Sequence, residues 1–107
     1  MVVEDDCSSR VALERLLTVQ GHKVSVAETI ANAVELIRTA NFDRVLLDLM
    51  LPDGMGYELF EKGIGVPPTV FCTGTSDATL LDKAKKYNPI DILIKPLNIT
   101  LLFSYLS

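Results

Sequence analysis

The stretch Arg44-Val45-Leu46-Leu47-Asp48-Leu49-Met50-Leu51-Pro52-Asp53-Gly54 decides how the rest of the chain reads. Val45, Leu46 and Leu47 form an apolar run without polar alternation. A strand with one wet face alternates, whereas a strand covered on both faces, as in a parallel sheet, does not. The run ends on the carboxylate of Asp48, and Leu51-Pro52-Asp53-Gly54 then supplies turn chemistry. An aspartate closing such a strand is partly buried, which is costly without a partner. The segment predicts a central strand over Arg44 to Asp48 with a carboxylate held at its end.

Upstream, Met1-Val2-Val3 is a short apolar run that stops at Glu4-Asp5-Asp6. Ser8 or Ser9 is placed to cap a helix carrying Val11, Leu13, Leu16 and Leu17, which closes near Gly21. Lys23 to Ala27 reads as a strand. Thr29 caps a second helix with Ile30, Ala33, Val34 and Ile37 in one stripe. Downstream, a short helix over Gly56 to Lys62 must end before Gly63, Gly65 and Pro67-Pro68. Thr69 to Thr73 is a strand, and Asp77 to Tyr87 a helix with Leu80, Leu81, Ala84 and Tyr87 facing in. Asp91 to Lys95 is the fifth strand, Pro96 breaks it, and Asn98 caps a last helix. Five strands alternating with five helices predict a doubly wound α/β fold, an open parallel sheet with helices on both faces.

Composition narrows the function. The 107 residues make one domain. Fourteen acidic against ten basic residues leave a net charge of −4, so direct nucleic-acid binding by a basic face is not expected. No apolar run exceeds three residues, which excludes a membrane-spanning helix. Cys7 and Cys72 lack metal-ligand spacing and read as small apolar side chains in a reducing cytoplasm, and His22 is isolated in a turn.

Ligands of such sheets bind beyond the carboxyl ends of the strands. There the pattern places Glu4, Asp5 and Asp6 after the first strand, Asp48 after the third, Thr73 at the fourth and Lys95 at the fifth. Singly, these acids read as solvated turn residues or helix N-terminal charges. Together they repel and call for a cation. An all-oxygen set suits Mg²⁺, while Lys95 and Thr73 suit a phosphoryl group beside it. An aspartate there is placed to attack phosphorus and form an acyl phosphate.

The runs Val2-Val3-Glu4-Asp5-Asp6, Val45 to Gly54, Thr73-Gly74 and Ile94-Lys95-Pro96 resemble the receiver (response-regulator) domain of bacterial two-component signalling, over essentially the whole chain. The resemblance implies a flavodoxin-like (βα)5 fold with strand order 2-1-3-4-5. It implies Asp48 as phosphoacceptor and an Mg²⁺ (or Mn²⁺) site from Glu4, Asp5, Asp48 and the Met50 backbone carbonyl. Thr73 becomes the switch hydroxyl, Lys95 the phosphoryl partner, and the Lys95-Pro96 bond cis. Asp6 takes the third acidic position. Ile92 departs from the pattern, because the family often has an aromatic there whose rotation reports phosphorylation. The segment between Asp48 and Thr73 is about one helical turn shorter than usual, so the third helix should be stunted.

The implied function is a phosphorylation-dependent switch, a signalling module rather than an enzyme, in the cytoplasm. Its partners would be a histidine kinase or histidine phosphotransfer protein. The output surface is the fourth helix, fifth strand and fifth helix. Leu97, Leu101, Leu102, Phe103, Tyr105 and Leu106 exceed one buried stripe, so the surplus meets a partner, a second copy in a homodimer, or chain outside this sequence. The short first strand and the apolar final helix suggest that residues 1–107 belong to a longer response regulator or hybrid kinase. The alternatives are a receiver-like scaffold that is not phosphorylated, and a phosphatase with an aspartyl intermediate. The clustered carboxylates argue against the first, and Leu49-Met50 after Asp48 argues against the second.

Overall fold

A computed structural model describes residues 1–106. The chain runs β1 (Val2–Val3), α1 (Cys7–Val19), β2 (Val26–Ala27), α2 (Ile30–Thr39) and β3 (Val45–Leu47). It continues through a small hairpin, β4 (Met50–Leu51) and β5 (Gly54–Met55), into a 3₁₀ helix over Gly56–Glu61. β6 (Thr69–Thr73), α3 (Ala78–Lys85), β7 (Asp91–Ile94) and α4 (Ile99–Leu106) complete it.

The five long-range strands form one parallel sheet in the order β2-β1-β3-β6-β7. In order of the five, this is 2-1-3-4-5, the flavodoxin-like arrangement implied by the resemblance. Val3 lies opposite Ala27 and Leu47, Leu47 opposite Phe71, and Phe71 opposite Ile92. Every strand points the same way, so the residues that follow them collect on one rim.

Side-chain alternation divides the core. Val3, Val45, Leu47 and Phe71 pack with Ile30 and Ala33 of α2, Leu59 of the 3₁₀ helix and Ala84 of α3. Val2, Leu46, Val70, Cys72 and Leu93 pack with Leu13 and Leu17 of α1 and Leu102 of α4. The Val45-Leu46-Leu47 run is buried throughout because the two faces carry different helices.

Several local expectations change. The cap of α1 is Asp6, whose carboxylate accepts from Ser9 N–H at 2.9 Å, rather than Ser8 or Ser9. Leu16 lies at the edge of the buried stripe of α1 and is exposed, because Leu13 and Leu17 fill the contact with the sheet. β2 spans only Val26–Ala27 of the expected Lys23 to Ala27. The third helix is reduced to 3₁₀ geometry, and the shortened segment packs through aromatic rings instead. Tyr87 stacks on Tyr57 with centroids 5.7 Å apart and on Phe60 at 5.2 Å.

The hairpin depends on two glycines. Gly54 has φ +147°, in the region that favours glycine, and a Cβ there would stand 2.5 Å from the Glu58 carboxylate. A Cβ on Gly56 would stand 1.9 Å from the Asp48 carbonyl oxygen. Gly56 N–H donates to Leu49 carbonyl at 2.7 Å, which closes the chain over the end of β3.

Candidate functional site

Hydrogen bonding continues past the strand ends and places the candidate residues. Glu4 N–H donates to Ala27 carbonyl at 2.9 Å, and Asp48 N–H to Val3 carbonyl at 3.0 Å. Lys95 N–H donates to Thr73 carbonyl at 2.7 Å. The sheet itself therefore sets the spacing of Glu4, Asp48, Thr73 and Lys95. They line a cleft of about 420 Å³ together with Asp5, Met50 and Thr75.

Glu4 and Asp48 are buried, Asp5 is exposed, and Thr73 is fully enclosed. Lys95 Nζ donates to Glu4 Oε2 at 2.7 Å and to Asp48 Oδ2 at 3.4 Å. Met50 N–H donates to Asp48 Oδ1 at 3.2 Å, and Thr75 N–H to Thr73 Oγ at 3.2 Å. The Lys95-Pro96 peptide bond is cis. Asp6 also lines the cleft, with its carboxylate accepting from Ser9 N–H as the cap of α1. Ile92 is half-buried against the core on the α2 and α3 side.

The electrostatics follow from this packing. Burial pushes the Glu4 carboxyl above its ordinary range; the Lys95 hydrogen bond opposes that shift and the Asp48 charge adds to it. Burial works against the Lys95 ammonium, but its carboxylate partners outweigh it and hold the pKa above the usual lysine value. One ammonium thus faces two buried carboxylates, with a third beside them. One carboxylate oxygen from each of Glu4, Asp5 and Asp48 lies within 4.8 Å of the others. The donors are all oxygen, with no imidazole or thiolate, and they carry more negative charge than Lys95 neutralises. That chemistry fits a hard divalent cation.

Two residues that sequence reasoning passed over support this arrangement. Gly56 lets the hairpin close on the Asp48 carbonyl. Arg10 Nη1 donates to the Glu4 carbonyl at 3.2 Å and the Asp5 carbonyl at 3.4 Å. An arginine one turn into the helix that follows an acidic loop was the available signal.

The family model for the response regulator receiver domain matches residues 1–107. The chain belongs to the receiver domains of response regulators. Over 62 residues it is 39% identical to the transcriptional regulatory protein AfsQ1 of Streptomyces coelicolor, covering 58% of this chain and 28% of that protein. Over 105 residues it is 35% identical to a cyclic di-GMP phosphodiesterase of Thermotoga maritima, covering 95% of this chain and 28% of that one. The chain thus spans under a third of these relatives. The non-phosphorylated HemR receiver domain of Leptospira biflexa superposes with a TM-score of 0.81 at 31% identity, over 98% of this chain and 87% of that one. Receiver domains are signalling modules of two-component systems and generally bind Mg²⁺ in an acidic pocket; Glu4, Asp5 and Asp48 form such a cluster here. Among the described residues no helix is long and apolar enough to cross a membrane.

Proposed function

We propose that this receiver domain is a phosphorylation-dependent switch with Asp48 as phosphoacceptor. The observation that carries the reading is the convergence of Asp48 and Lys95, 3.4 Å apart, beside the buried Glu4 and the exposed Asp5. The donor is a phosphohistidine of a histidine kinase or histidine phosphotransfer protein. An Asp48 oxygen attacks phosphorus, the bond from phosphorus to the imidazole nitrogen breaks, and the imidazole leaves with that electron pair. The product is an aspartyl phosphate.

The residues divide the work. Glu4, Asp5, Asp48 and the Met50 carbonyl would hold Mg²⁺ (or Mn²⁺), which supplies charge neutralisation for the incoming phosphoryl oxygens. Lys95 exchanges its Asp48 contact for a phosphoryl oxygen, adding a fixed positive charge where negative charge develops. Thr73 turns its hydroxyl from Thr75 N–H toward the phosphoryl group. The phosphoryl group brings about −2 charge and three acceptor oxygens, enough to reorder the loop after β6. With Ile92 in place of an aromatic, the signal passes through aliphatic repacking. It changes the α3-β7-α4 surface, where a homodimer or an output partner docks. The setting is a cytoplasmic response regulator or hybrid kinase longer than this chain.

The test is intact-mass measurement after incubation with acetyl phosphate, on wild type and Asp48→Asn, with and without Mg²⁺. One phosphoryl group gained only with both Mg²⁺ and Asp48 is expected. A folded wild type that gains none, from acetyl phosphate or from a phosphohistidine donor, overturns the reading.

A further inference from the structure

The first turn of α2 is tied to both loops of the acidic rim. On one side, Arg10 is nearly enclosed, with its side chain 14% exposed. Its Nη1 reaches the carbonyls of Glu4 and Asp5, and its Nη2 pairs with Glu28 at 3.2 Å. Glu28 directly precedes Thr29, the cap of α2. On the other side, Asp53 sits at the turn of the hairpin that follows Asp48. Its Oδ1 accepts from Ile30 N–H at 2.9 Å and its Oδ2 from Ala31 N–H at 3.1 Å. Thr29 caps only Asn32 N–H, at 3.0 Å. The first two donors of α2 are therefore satisfied from a segment more than twenty residues away.

A helix terminus needs its N–H groups satisfied, and any nearby oxygen would serve. Here the acceptor is a hairpin that starts two residues after Asp48. The guanidinium, with its fixed fork of donors, spans two carbonyls and a carboxylate at once, which an ammonium does not. Neither contact involves a carboxylate of the acidic cluster. Both set where the backbone bearing those carboxylates lies.

We propose that Arg10 and Asp53 are positioning residues that lash the acidic loop and the hairpin to the first turn of α2, so that this turn sets the metal affinity of the rim. The proposal rests on the reading of Glu4, Asp5 and Asp48 as the Mg²⁺ site. Outer groups that orient metal ligands are worth about tenfold or more in affinity.

The test uses Arg10→Ala, Asp53→Ala and Glu28→Gln. Glu28 is largely exposed and touches no candidate ligand, so its variant folds while loosening Arg10. Two readouts are taken: Mg²⁺ affinity by calorimetry, and the Mg²⁺ dependence of phosphoryl uptake from acetyl phosphate. Arg10→Ala and Asp53→Ala are expected to raise the half-saturating Mg²⁺ about tenfold, with Glu28→Gln raising it less. Uptake at saturating Mg²⁺ should stay within about twofold of wild type, the signature of lost ground-state binding. The Ile30 and Ala31 amide resonances should move with Mg²⁺ in wild type and stay still in Asp53→Ala. Wild-type half-saturation in all three folded variants overturns the proposal alone. Wild type that neither binds Mg²⁺ nor gains a phosphoryl group overturns the proposed function and this proposal with it.

Discussion

Gly56 lies against the backbone of Asp48 so closely that a single added carbon would stand 1.9 Å from the Asp48 carbonyl oxygen. The obstacle is main chain at the end of a buried strand, so no side-chain rotation relieves it. Gly56→Ala is expected to destabilise the fold by about 1–3 kcal/mol, the usual range for overpacking, and to displace Asp48. Urea unfolding reads the first effect, and the rate of phosphoryl uptake by the folded fraction reads the second. A variant with wild-type values for both contradicts the steric account.

Removing Lys95 leaves the buried Glu4 carboxylate without its cation. Lys95→Ala should cost about 1–3 kcal/mol at neutral pH, the penalty for stranding a buried polar group. The sign with pH follows from Glu4, whose folded pKa is raised above 4.5. The fold prefers its protonated form, and a neutral Glu4 needs no ammonium. The stability gap between wild type and variant should shrink as pH falls through that raised value. Unfolding curves across that pH range measure it, and a gap that widens toward acid is the contrary result.

Asp53 gives the opposite sign. Burial acts to raise its pKa, but the N–H groups of Ile30 and Ala31 outweigh it and hold the carboxyl below its ordinary 3.8. Its contribution to stability is complete above that ordinary value and is withdrawn as pH falls through the lowered one. Asp53→Asn should therefore lower stability at neutral pH and flatten the acid limb of stability against pH. Thermal unfolding between strongly acid and neutral pH checks both features.

Short apolar runs were enough to place all five strands of the sheet; the three central ones are buried on both faces and need no alternating pattern, while the edge strands β2 and β7 are only partly covered. Less regular features were illegible for physical reasons. The β4-β5 hairpin has only two residues per strand, too few for any period to register. Asp6, rather than the expected Ser8 or Ser9, caps α1, and only backbone geometry decides between adjacent residues with capping side chains. For the rim, strand ends predicted which groups meet, since parallel strands deliver them to one edge. They did not predict that Lys95 sits nearer Glu4 than Asp48. Asp53 acts through contacts to backbone, which leave no pairing pattern in side-chain chemistry, and Arg10 joins two backbone carbonyls to the distant Glu28 carboxylate, a pairing no local spacing announces.

The Met50 side chain is exposed beside the cleft and carries no amide or carboxylate to orient a hydrolytic water. The aspartyl phosphate should therefore be long-lived. Met50→Asn is expected to speed its loss roughly tenfold, below the hundredfold typical of a preorganised donor. Intact mass followed over time after donor removal distinguishes the two; faster loss from wild type than from the variant is the opposing outcome.

The two cysteines should differ in reactivity. Cys7 is exposed at the start of α1, whereas burial raises the Cys72 thiol pKa to about 12. A thiol needs its thiolate to react. Native protein is expected to take up one equivalent of alkylating reagent at Cys7, and urea-unfolded protein two. Rapid native labelling of Cys72 would show that the face beneath α1 and α4 opens.

Leu46 and Leu47 are neighbours in the chain yet serve separate interiors, one beneath α1 and α4 and the other beneath α2 and α3. The sheet is thus a partition between two oily compartments. Repacking one compartment leaves the other undisturbed as long as the strands hold their line, and the energetic effects of changes on opposite sides should sum. The two layers meet only through the strands they share and through the rim where the charged groups gather.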